Sequence, residues 1–193
     1  LFKARNPICT GWEELDAITH QGLGQGELGV VIAPTGAGKS MALVHIGAQA
    51  LKAGKNVVYY TLELSETVVG SRFDSCITNV PLNDLKDFKE EIYEKVQMIE
   101  GQLIVKEYPT KSASCQTLKN HVEKLMTRGF KPDMILVDYG DLLRPISTLR
   151  EKRHELETIY EQLRAIAQTY GCCVWTASQT NRSGLNAEVI TME

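Results

Sequence analysis

Nowhere in the 193 residues is there an uncharged apolar run of the roughly 18 residues that a membrane span requires. The opening LFKARNPICT also lacks the apolar stretch of a secretory signal. The expectation is a soluble, cytoplasmic chain with no membrane partner. Paired cysteines are missing too. Cys9, Cys76, Cys115, Cys172 and Cys173 are five in number, and no two have the spacing of a zinc knuckle or a redox pair, which argues against structural disulfides and bound metal clusters. Cys172 and Cys173 open an apolar run and are expected to be small buried hydrophobes. Positive charge is not in excess: 21 Lys and Arg face 24 Asp and Glu, for a net charge of -3. That balance excludes a chain coated in nucleic-acid contacts, while leaving room for a few basic loops. Repeats, low-complexity tracts and linkers are absent as well. What is there, 43% apolar and 23% charged, is the composition of a globular domain able to bury a core. We expect a single domain over 1–193, with 1–27 as a lead-in segment. The first residue is not Met and the chain ends at Thr191-Met192-Glu193 without a closing element, as expected for a piece of a longer protein.

Five short apolar runs, at 28–33, 56–62, 103–108, 134–138 and 172–177, are continuous rather than alternating and rich in Val, Ile and Tyr. Continuous apolarity predicts strands covered on both faces, as in a parallel sheet. The segments between them fit helices. Residues 40–53 read as a helix ending at Gly54; Ser114 can cap another whose Leu118, Val122 and Leu125 share a face and which stops at Gly129. Stretches 82–100 and 151–170 carry apolar residues every three to four positions and predict two surface helices. Strand, helix, strand is the repeating unit, so the fold class is α/β, a mainly parallel sheet with helices on both faces.

The first run leads straight into Ala33-Pro34-Thr35-Gly36-Ala37-Gly38-Lys39-Ser40, followed by a helical sequence. Gly36 and Gly38 let the backbone turn with positive φ, so that successive N–H groups face phosphate oxygens, and the helix N-terminus adds partial positive charge. Residues Pro34, Thr35, Gly36, Ala37, Gly38, Lys39 and Ser40 are thus the candidate ATP-binding loop. Lys39 supplies a cation for the β and γ phosphates, and the Ser40 hydroxyl is a candidate Mg²⁺ ligand. Ala33 stands where the strict pattern has glycine, at a position that ends the strand rather than touching phosphate.

Mg²⁺ needs a second anchor, and the run Met134-Ile135-Leu136-Val137 carries Asp138 to the sheet edge where ligands of open α/β folds bind. Tyr139 is not an acid, so the catalytic carboxylate must come from elsewhere. Glu63, ending the run 57–62 on the same edge, is the candidate base for the attacking water. Glu66 reads as helix surface. The fifth run ends in Ser178-Gln179-Thr180-Asn181-Arg182, and Gln179 can hydrogen-bond the γ phosphate and report its loss.

With these residues in place the sequence resembles the RecA-like ATPases, and most closely the C-terminal motor domain of DnaB-type replicative helicases. The lead-in Thr10-Gly11-Trp12-Glu13-Glu14-Leu15-Asp16 with Gly22-Leu23-Gly24-Gln25-Gly26-Glu27-Leu28 looks like the family's approach to its phosphate loop. Thr61-Leu62-Glu63-Leu64 is similar to the family's Ser-Leu-Glu-Met, whose Glu is catalytic. Asp138-Tyr139 matches its Walker B signature, and Ser178 to Arg182 matches Ser-Gln-Leu-Asn-Arg. The resemblance implies a RecA-like P-loop core, ATP and Mg²⁺, a homo-oligomer that is a hexameric ring, single-stranded DNA as track, and primase and other replisome proteins as partners. Beyond Arg182 the family carries basic residues reaching a neighbour's ATP and a channel loop; 183–193 reads SGLNAEVITME and shows neither pattern. A RecA or RadA-type recombinase and a KaiC-like regulatory ATPase share the lead-in and are the competing readings. For DNA contact the candidates are Lys152 and Arg153 in the loop 144–154 and Arg182 after Gln179. These loops hold no aromatic residue, so the expected grip is electrostatic and indifferent to sequence. Lys152 and Arg153 can equally pair with Glu151 and Glu155.

Overall fold

The computed structural model describes residues 4–145 and 152–180, without the Lys152 side chain. Five strands, β1 (Leu28–Ala33), β2 (Val57–Thr61), β3 (Leu103–Glu107), β4 (Met134–Asp138) and β5 (Cys173–Gln179), form one parallel sheet in the order β1-β5-β4-β2-β3. The strand runs predicted from continuous apolarity are all strands. β2 and β4, inside the sheet, are buried at every residue, which is why their sequences do not alternate.

Helices α1 (Glu13–Ile18), α2 (Lys39–Lys52), α3 (Glu66–Thr78), α4 (Lys89–Gln97), α5 (Cys115–Thr127) and α6 (Lys152–Tyr170) complete the described chain. On one face Leu43 and Ile46 of α2 and Val69 and Phe73 of α3 share a core with Tyr59, Leu136 and Trp175. On the other, Leu118 and Val122 of α5 and Ile159, Leu163 and Ile166 of α6 meet Val58, Tyr60, Ile135 and Val137. Successive strand residues thus serve opposite cores. Each fully buried aliphatic or aromatic side chain contributes about 1.5–3 kcal/mol, so these two layers, not any polar contact, carry the fold. α2 sits tight against the sheet at Gly47, where a Cβ would fall 2.6 Å from Leu136 Cδ1 and 2.9 Å from Phe73 Cζ.

The stretch 82–100 departs from the predicted single helix. Pro81 opens a short 3-10 turn at Leu82–Asp84, Asp87 N–H reaches back only to the Asp84 carbonyl, and α4 starts afresh after Phe88. Apolar spacing registers which side chains face inward; it is blind to a change from four-residue to three-residue hydrogen bonding. Ser114 caps α5 as expected, in a reciprocal pair with Thr117. Cys172 and Cys173 are buried as expected, and burial pushes the Cys172 thiol up to about 12. Among the described residues no helix is long and apolar enough to cross a membrane.

Because all five strands run the same way, their C-terminal ends share one rim. Register brings Ala33 beside Gln179 and Thr61 beside Asp138 on it.

Candidate active site

The phosphate loop leaves β1 at Ala33 and enters α2 at Lys39. Gly36 has φ 77° and Gly38 φ 93°, a turn that side-chain-bearing residues rarely take, and a Cβ at either would meet nothing within 4 Å among the described residues. The loop is therefore an open cradle. Gly38 caps α2 with no side-chain bond, which leaves the first-turn N–H groups available to an anion. Ala33 is the last strand residue, and its carbonyl accepts from Thr180 N–H at 3.3 Å, the strand-ending position its sequence context predicts.

Lys39 is only 9% exposed, and its Nζ lies 5.2 Å from the Tyr139 ring centroid. Ser40 follows it in the first turn of α2, half-buried. Asp138 closes β4 at 1% exposure. Its Oδ2 accepts the Tyr59 hydroxyl at 2.6 Å, while its Oδ1 is buried with no partner among the described residues. Burial first, then the Asp138 charge, drives the Tyr59 phenol far above its ordinary range, so it remains a donor and fixes the carboxylate. A buried carboxylate oxygen without a partner is costly unless something cationic fills its place. The donor set therefore fits Mg²⁺, with Asp138 and Ser40 as the residues that would hold it.

Glu63 stands two residues beyond β2, exposed on a turn that Thr61 builds by accepting Leu64 N–H at 3.0 Å and donating to its carbonyl at 2.7 Å. Leu62 N–H bonds the Asp138 carbonyl at 2.9 Å, locking this turn to the end of β4. Burial raises the Tyr139 phenol pKa, and the charges of Glu63, Asp141 and Asp138 add to the shift. Glu66 begins α3 behind the Ser65 cap and trades bonds with Glu107, consistent with a surface role.

Gln179 ends β5. Its Oε1 accepts the Tyr139 hydroxyl at 3.0 Å, and its Nε2 donates to Thr35 Oγ1 in the phosphate loop. The rim thus gathers Lys39, Ser40, Glu63, Asp138 and Gln179. Reading the sequence missed Tyr59 and Asp141, and noted Tyr139 only as part of the Asp138-Tyr139 match. Asp141 Oδ2 accepts the Ser178 hydroxyl at 3.1 Å and Gln179 N–H at 3.2 Å, and its Oδ1 accepts the Tyr160 hydroxyl at 2.6 Å. No spacing signals the grip of Tyr139 on Gln179, since the two are 40 residues apart. Arg153 is exposed at the start of α6, and Arg144 is exposed where the preceding loop begins. The Lys152 side chain, Arg182 and most of both proposed DNA loops lie outside the described residues. A cavity of about 410 Å³ lined by Ile8, Lys55, Asp133 and Cys173 opens at the opposite end of the strands.

The arrangement suits nucleotide chemistry: an anion cradle, a cation, a carboxylate seat for Mg²⁺, an exposed acid and a primary amide on one rim. The sequence matches the family described as the DnaB-like helicase C terminal domain over residues 7–188. The chain belongs to this DnaB-like family. A DnaB-like replicative helicase of Enterobacteria phage T4 is 31% identical over 190 residues, covering 92% of this chain and 40% of the relative. The replicative DNA helicase DnaB of Leifsonia xyli subsp. xyli is 26% identical over 188 residues, 91% of this chain and 39% of the relative. The DnaB-like chain thus spans about two fifths of these relatives' lengths. Among solved structures, a DnaB-like replicative helicase described with its interactions with primase superposes at TM-score 0.77 with 16% identity, covering 97% of this chain and 46% of that one. A second solved structure, described as an ATPase domain, matches at TM-score 0.77 and 16% identity, covering 95% of this chain and 67% of that one. These likenesses establish the RecA-like fold of the DnaB-like domain.

Proposed function

We propose that this chain is the ATP-driven motor of a ring-shaped replicative DNA helicase, a single RecA-like domain over 1–193 that hydrolyses ATP with Mg²⁺ to translocate on single-stranded DNA in the cytoplasm. The observation that carries this reading is the meeting of the cradle, Lys39, Asp138, Glu63 and Gln179 on one rim. In the proposed reaction the N–H groups of residues 35–40 and the Lys39 ammonium hold the β and γ phosphates. Asp138 and Ser40 are the residues that would hold Mg²⁺, which when bound would supply charge neutralisation to the phosphates. Glu63 orients the attacking water and takes its proton as the water oxygen bonds the γ phosphorus and ADP leaves. Gln179 bonds the γ phosphate and passes its loss to the chain that follows β5.

Supporting the ring is the family relation, in which we take the assembly to be a hexamer. Partner assignment follows the same source: one solved relative is described with primase, and primase and other replisome proteins are the partners proposed here. With a net charge of -3 there is no general basic coat, and we assign the DNA contact to Lys152 and Arg153, at the start of α6, and to Arg182. The test is ATP hydrolysis by the assembled ring with and without single-stranded DNA, together with unwinding of a forked duplex. Stimulation with unwinding is expected. Hydrolysis indifferent to DNA would instead favour a KaiC-like regulatory ATPase, and strand exchange on a filament a RecA or RadA-type recombinase. Across a salt series, Arg182→Ala and the pair Lys152→Ala with Arg153→Ala should weaken single-strand binding and flatten its salt slope.

A further inference from the structure

Tyr139 completes the Asp138-Tyr139 match but has no chemical role assigned from sequence, being an aromatic where an acid was sought. In the fold its hydroxyl donates to Gln179 Oε1 at 3.0 Å, and its ring lies 5.2 Å from Lys39 Nζ. The other end of the Gln179 amide, Nε2, donates to Thr35 of the phosphate loop. A glutamine amide presents an acceptor on one side and donors on the other, and turning it over changes its shape little. A phosphate oxygen only accepts, so an amide that serves it must turn its N–H inward and its oxygen to the far side, where a hydroxyl can donate to it. The same short segment also grips the backbone of Gln179, through Asp141 Oδ2 at 3.2 Å, and Asp141 is itself anchored by the Tyr160 hydroxyl of α6 at 2.6 Å.

We propose that Tyr139 is a positioning residue for the γ-phosphate contact: its hydroxyl holds Gln179 Oε1 so that the Nε2–H faces the loop, where a terminal phosphate oxygen takes over from Thr35 Oγ1 as acceptor. The inference rests on the ATP reading above and adds to it the group that orients the amide. The ring supports the Lys39 ammonium separately, as a cation over an aromatic face. Hydroxyl and ring thus have separable consequences. Losing the hydroxyl alone should harm only a ligand that carries a γ phosphate.

The experiment is calorimetric titration of the assembled ring, with Mg²⁺ present, by a non-hydrolysable ATP analogue and by ADP. In wild type the analogue should bind more tightly than ADP. Tyr139→Phe should reduce that preference by about fivefold, the value of one net hydrogen bond, with ADP affinity unchanged because the ring remains. Gln179→Ala should reduce it at least as much, and the double variant Tyr139→Phe with Gln179→Ala should lose nothing further, because the two groups act through one bond. An unchanged preference in Tyr139→Phe overturns the inference, as does an unchanged preference in Gln179→Ala or an additional loss in the double variant. Equal weakening of both nucleotides in Tyr139→Phe also overturns it, since that would be a general structural effect. Wild-type protein that binds neither nucleotide would instead refute the ATP reading itself.

Discussion

The lead-in, residues 4–27, and the C-terminal rim are both rich in polar side chains, but they use them in opposite ways. In the lead-in Arg5 makes five hydrogen bonds: two to the Glu27 carboxylate at 2.6 and 2.8 Å, and three to the carbonyls of Thr19, His20 and Gly22. Asp16 accepts from Thr10 N–H, the Thr10 hydroxyl and Gly11 N–H. These groups are engaged with one another and have little capacity left for a ligand. On the rim Asp138 Oδ1 is buried with no partner among the described residues, the first turn of α2 has no side-chain cap, and Glu63 projects from its turn. Saturation marks scaffolding; leftover capacity marks chemistry.

The difference yields opposite expectations for substitutions in the two regions. The largest effect is expected at Lys39→Ala, which should lose nucleotide binding and hydrolysis together in calorimetry and phosphate-release assays, since the cradle needs its cation. Next is Glu63→Gln, which keeps the shape and MgATP binding but cannot take a proton; turnover on the assembled ring should fall by at least about 10²-fold. Retained turnover would move the base to another acid and blur the contrast. Asp138→Asn should raise the Mg²⁺ concentration needed for half-maximal turnover, read from a metal titration. The smallest effect belongs to the lead-in. Arg5→Ala should cost about 1–2 kcal/mol in denaturant unfolding and leave nucleotide affinity alone. The figure is modest because the Arg5 side chain is 37% exposed.

The lead-in pair also carries a pH signature. The Arg5 hydrogen bond, ahead of the smaller opposing effect of burial, holds the Glu27 carboxyl below its usual range. A depressed folded pKa gives stability that is present above the unfolded value of about 4.3 and lost as pH falls through the folded one. Wild-type and Arg5→Ala stabilities should therefore converge as pH drops below about 4. A constant gap would mean that Arg5 acts through its three carbonyl bonds alone.

Much of both regions can be read from sequence, for identifiable reasons. Strands buried on two faces leave continuous runs, and the phosphate loop needs its glycines and Lys-Ser pair adjacent in the chain, so neither depends on distant pairing. Helix α3 was visible only at its start: Gly70, Ser71 and Arg72 dilute its apolar face, leaving Val69 and Phe73 as its principal buried apolar side chains. α1 has six residues, none of them buried, and no periodicity to detect. The grip of Tyr139 and Asp141 on Gln179 exists only because β4 lies beside β5, and the hydroxyl of Tyr59 reaches Asp138 from the strand on the other side. Strand order, which sequence pattern leaves open, creates those contacts.

At Gly47 the helix that carries Lys39 touches the sheet with no room for a methyl group. Lys39 lies eight residues earlier, about 12 Å along the helix axis at about 1.5 Å per residue. The height of the phosphate loop above the rim is thus set from a buried point that never meets nucleotide. A side chain introduced there would press on the tips of Leu136 and Phe73, and either those tips or α2 itself would have to shift. Where α2 is the part that yields, the proposed nucleotide site would be detuned from beneath, with every one of its residues intact.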